Sequence, residues 1–90
     1  MTITEIRVTL RNDNKLKAFV SITLDNCFVI RGLKIIQGNK GLFVAMPSRK
    51  KADGTFQDLA HPINATTRAV MEEEILERYH LELENDALVQ

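Results

Sequence analysis

The chain has 90 residues, 44% of them hydrophobic and 27% charged, with zero formal net charge. That composition fits one globular domain and excludes intrinsic disorder or a second independent core. A single cysteine, Cys27, excludes an internal disulfide and a cysteine-rich metal site. The start "MTITEIRVTL" lacks a signal-peptide core, and no apolar run approaches the ~20 residues of a membrane span, so a cytoplasmic protein is expected.

Apolar residues alternate from Ile6 through Val8 to Leu10, the period of a half-buried strand. "NDN" at 12–14 is turn chemistry, because short Asx side chains bond their own backbone. Leu16, Ala18, Val20, Ile22 and Leu24 then share one face of a second strand, with Lys17, Ser21 and Thr23 opposite. "DN" at 25–26 predicts a turn into a third strand over 28–36, opened by Cys27 as a small core residue and bulged at Gly32. The glycines of "QGNKG" at 37–41 supply positive φ for another turn. "LFVAMP" at 42–47 is apolar on both faces, as in a central strand or a subunit contact, and Pro47 stops regular pairing. "ADGT" at 52–55 predicts a tight turn and 56–60 a short edge strand.

From Asn64, a helix N-cap, the period becomes helical. Ala65, Ala69, Leu76, Tyr79 and Leu83 recur on one face with Ile75 at its margin, and Glu72 is placed to pair with Arg68 one turn earlier. The expected fold is α+β: an antiparallel sheet of four to five strands over about 2–60, an amphipathic helix over about 64–83 that breaks near His80, and a frayed tail at 84–90.

The zero net charge hides a separation. Residues 1–51 carry ten Lys/Arg against three acids, a balance of +7, and residues 52–90 carry two against nine, a balance of −7. The plain reading is that the halves attract each other within the fold. The basic half ends in Arg49, Lys50 and Lys51, adjacent cations between a strand and a turn. Like charges in a row repel, so an anionic partner outside the fold is the sharper reading, and a solubilising tip the plain one. Phosphates attract Lys and Arg whatever the sequence, and Arg49 can also fork onto a phosphate or a guanine edge. Arg68, near the helix start, is placed to approach the triplet, whereas Lys40 belongs to the turn at the other end of the intervening strand.

Catalysis has little support. Asp58 and His61 are spaced for a proton relay, but no Ser or Cys has a visible activating partner. Two isolated histidines, His61 and His80, do not make a metal site, and "GNKG" matches no phosphate-binding spacing. No enzyme, cofactor or metal is expected.

Between Lys17 and Arg68 the sequence closely resembles the SpoVG family, named for stage V sporulation protein G. The resemblance is carried by "SITLD" at 21–25, "GLFVAMPSRK" at 41–50, "DG" at 53–54 and "DLAHPIN" at 58–64, in the family's order and spacing. It implies a small bacterial homodimer with an antiparallel sheet and a C-terminal helix. It also implies a DNA- and RNA-binding regulator linked to septation and sporulation, whose basic segment corresponds to Arg49, Lys50 and Lys51. At Gln37, Lys40 and Lys51 this chain departs from the family pattern toward more positive charge. The expected nucleic-acid-binding residues are therefore Arg49, Lys50, Lys51 and Arg68. The competing reading is a protein-interaction module of the division machinery that uses the acidic helix residues Glu73, Glu74 and Glu77.

Overall fold

The computed structural model describes residues 1–89. Strands β1 (Ile3–Leu10), β2 (Leu16–Leu24), β3 (Phe28–Gly38) and β4 (Gly41–Ala45) form an antiparallel meander in the order β1-β2-β3-β4. Strands β5 (Ser48–Lys50) and β6 (Phe56–Asp58) form a separate two-stranded sheet, followed by one helix, α1 (Ala65–Val89).

The turns have the chemistry their residues dictate. Asp13 Oδ1 accepts a hydrogen bond from Lys15 N at 3.0 Å, the local Asx closure expected of "NDN". Its carboxyl is held below its ordinary pKa by that bond and one from the Leu16 amide. Asp25 and Asn26 take φ of 49° and 57°, and Cys27 N donates to Leu24 O at 3.0 Å, a turn of the primed kind within the three-residue loop that joins Leu24 to its partner Phe28. The chain start locks this turn: Asp25 N donates to Thr2 O at 2.8 Å, and Thr2 N donates to Asp25 Oδ1 at 2.9 Å.

Gly32 is a bulge, as its sequence context predicts. The β2–β3 register slips between Val20 and Ile22, and Gly32 has φ of +89°. A Cβ there would touch Pro47, where the chain leaves the sheet.

One face of the meander is the core. Ala18, Val20, Ile22, Leu24, Leu33, Ile35 and Val44 are buried against Met71, Ile75 and Tyr79 of α1. The buried helix face is turned by roughly 80° from the one expected, at 100° per residue, and Ile75 is at its centre rather than its margin. Ala65, Ala69 and Leu83 are exposed. Met71, Ile75 and Tyr79 recur every fourth residue and together bury far more apolar area than the two alanines.

Other expectations are also corrected. Strand β4 is an edge strand, not a central one, and its exposed Phe43 lies on the face away from the helix. Glu72 does not pair with Arg68; its Oε2 accepts a hydrogen bond from Val44 N at 3.2 Å and so covers part of that edge. Cys27 is exposed in the turn, beyond the end of the core. The helix runs through His80 without a break and reaches Val89, so residues 84–89 are helical, while Gln90 lies outside the described residues. The cap is as expected: Thr67 N donates to Asn64 Oδ1 at 2.7 Å. No helix among the described residues is long and apolar enough to cross a membrane.

Candidate nucleic-acid interface

Pro47 ends the meander, and the backbone at once starts a second pairing. Ser48 lies opposite Asp58, Arg49 opposite Gln57 and Lys50 opposite Phe56. Leu59 N donates to Pro47 O at 2.7 Å at the base, and Lys51 N donates to Thr55 O at 2.7 Å near the tip. The expected basic loop is thus a β-ribbon, with Arg49 and Lys50 on its first strand and Lys51 entering the turn.

The tip is preorganised. Asp53 Oδ1 accepts from Thr55 Oγ1 at 2.6 Å and from Thr55 N at 3.0 Å, and Gly54 takes φ of +90°. Those bonds, the hydroxyl's first, hold the Asp53 carboxyl below its ordinary pKa. The one acid of the turn is therefore engaged locally and does not reach the lysines.

Every residue of β5 and β6 is exposed. The side chains of Arg49, Lys50 and Lys51 make no ion pair or hydrogen bond among the described residues. Alternation along a strand puts Arg49 and Lys50 on opposite faces of the ribbon, so the cations surround a finger rather than form one flat patch.

Arg68 sits on the first turn of α1, where its amide donates to Asn64 O at 3.2 Å. Arg68 is exposed, and its side chain makes no hydrogen bond or ion pair among the described residues. Lys40 lies in the β3–β4 turn, at the opposite end of β4 from the ribbon. Asp58 and His61 share no hydrogen bond; His61 Nδ1 lies 3.0 Å from Pro62 O. No ion pair joins the basic and acidic halves among the described residues. The pairs among the described residues are Arg7 with Glu5 at 2.8 Å and Arg78 with Glu82 at 3.1 Å, each within its own half.

Apolar residues, which charge does not reveal, accompany the ribbon. Phe56 is 70% exposed, Leu59 65% and Ile63 90%. Their signal in the sequence was an apolar residue on each side of the polar "QD", too short for periodicity to assign a face.

A meander covered on one face by a single helix, with a projecting cationic ribbon, defines a small α+β protein of distinctive outline. The chain belongs to the SpoVG family, whose model matches residues 1–81. A relative from Bdellovibrio bacteriovorus, named "Putative septation protein SpoVG", is 59% identical over 94% of this chain and 79% of its own length. Proteins of the same name from Myxococcus xanthus and Clostridioides difficile are 57% and 52% identical, over 92% and 100% of this chain and 84% and 94% of their own lengths. These relatives are named for septation, not for a catalysed reaction.

Proposed function

We propose that this chain is a nucleic-acid-binding regulatory protein linked to septation and sporulation, acting as a homodimer that contacts phosphates through the β5–β6 ribbon. The observation that carries this reading is the projection of Arg49, Lys50 and Lys51, unpaired, on a ribbon exposed on both faces. A two-stranded ribbon fits the major groove, about 12 Å wide, and presents side chains to both of its walls. Arg49 is the group suited to a guanine edge, and the lysines to phosphates. The link to septation rests on the names of the relatives.

The test is fluorescence anisotropy of labelled duplex DNA and single-stranded RNA at several salt concentrations, with Arg49→Ala/Lys50→Ala/Lys51→Ala for comparison. The two lysines alone give a slope of about −1.8 in log affinity against log salt per ribbon on duplex, and about −2.7 where Arg49 also takes a phosphate. The folded variant is expected to lose most of that slope. Equal binding by both proteins would make the ribbon a solubilising tip.

A second reading takes α1 as a protein-docking element. Glu73, Glu74 and Glu77 are all exposed and unpaired among the described residues. Capture of a division protein that is lost on neutralising these three glutamates, and kept by the ribbon triple variant, favours it over the first.

A further inference from the structure

The face of the meander that α1 leaves uncovered is not blank. Strand β2 places Phe19, Ser21 and Thr23 there, flanked by Thr9, Arg7 and Glu5 of β1 in matching register. On the other side, Lys34 of β3 lies opposite Phe19, and Arg31 adjoins the bulge opposite Ser21. Because Ser21 and Thr23 are short, the centre of this face is a trough between two raised strands, with Arg7 on one wall and Arg31 on the other. At one end Phe19 is 38% exposed, and the Arg11 guanidinium lies 5.5 Å from its ring centre. The face thus carries Arg7, Arg11, Arg31 and Lys34 against one carboxylate, Glu5, already bonded to Arg7 at 2.8 Å. Arg31 and Lys34 have no side-chain partner among the described residues.

We infer that this trough is a second nucleic-acid site, specific for a single strand, whose phosphates run between Arg7 and Arg31 and one of whose bases stacks on Phe19. The inference rests on the nucleic-acid reading of the ribbon and extends it to a separate surface. Charge selects the occupant: four cations to one engaged carboxylate favour a polyanion. They oppose a second copy of this face, since a two-fold contact would set cation against cation. The walls are two strand spacings apart, about 10 Å, which suits one sugar–phosphate chain over a floor of small hydroxyls. Duplex bases are stacked on one another and cannot offer a face to Phe19, whereas an unpaired base can.

The experiment titrates a labelled oligodeoxythymidylate and a mixed-sequence duplex with wild type, Arg31→Ser/Lys34→Ser, Phe19→Leu and the ribbon triple variant, with sedimentation of each free protein. Loss of two phosphate contacts should reduce the single-strand salt slope by about 1.4, or about 25-fold in affinity at 0.1 M salt relative to 1 M, and leave the duplex titration unchanged. Phe19→Leu should weaken single-strand binding by about 5-fold or more at an unchanged salt slope, because stacking releases no counterions. Single-strand curves of both face variants that superimpose on wild type, while the ribbon variant loses binding, would overturn the trough and leave the ribbon standing. A changed sedimentation coefficient in the face variants would overturn it in favour of a protein contact, and wild type that binds neither probe would overturn both sites.

Discussion

At the scale of single residues, Asp53 shows how the cationic tip is held in shape. Its carboxylate closes the turn through Thr55 Oγ1 and Thr55 N, and both bonds favour the ionised form. Its pKa in the folded protein is therefore below the ordinary 3.8. A depressed carboxyl contributes order above its unfolded pKa, and that contribution is lost as the pH falls through the folded value. The Thr55 amide resonance should hold constant at neutral pH and titrate with a midpoint below 3.8, and Asp53→Ala should abolish the inflection. A midpoint at or above that value would mean the turn is set by Gly54 alone. Neighbouring residues differ in how far their sequence betrays them. Gly32 is legible because a glycine among β-branched residues has few roles other than a bulge. Cys27 is not, because its exposure depends on where the core ends, one residue beyond a turn whose geometry belongs to Asp25 and Asn26.

Among the elements, the strands of the meander are the most legible and the helix face the least. Alternation over Leu16–Leu24 is long enough to fix which side is buried, and it settles β1 and β3 through their pairing. A 25-residue helix offers more than one plausible apolar stripe, and the choice is made by the sheet. Glu72 is the sharpest case. As a sequence position it reads as a partner of Arg68 within the apolar stripe, yet the helix rotation that buries Ile75 carries its carboxylate to the Val44 amide on the sheet edge. Removing that acceptor leaves an edge N–H without its partner beneath the helix. Glu72→Ala should lower stability in urea by about 1–3 kcal/mol at an unchanged m value, and Glu72→Gln, which keeps an acceptor oxygen, should cost less. A loss under about 0.5 kcal/mol in the alanine variant would show that water satisfies the amide instead. The ribbon was half legible in the same sense. Its cations stand out in composition and its turn in "DG", but that it pairs with itself, apart from the main sheet, depends on where Pro47 sends the chain.

For the whole molecule, the question is what stabilises an arm that the domain itself leaves bare. A two-stranded hairpin with three paired residues on each strand is marginal alone in water, and this one has both faces exposed. Beside it, Phe56, Leu59 and Ile63 present apolar area to solvent at 70%, 65% and 90% exposure. A domain of 90 residues also has little core to spare for such a loss. A second copy that covers these three residues would supply the missing packing and would set two cationic ribbons at a fixed separation, doubling the salt slope of one. Sedimentation equilibrium of the wild type should then give a dimer, with a melting temperature that rises with protein concentration. Phe56→Ser/Ile63→Ser should sediment as a monomer, keep the meander and helix by circular dichroism, and retain only the weaker salt slope of a single ribbon. A wild type that is monomeric at every concentration would instead leave the arm's apolar residues to whatever the ribbon binds, and the double variant would then lose affinity without any change in mass.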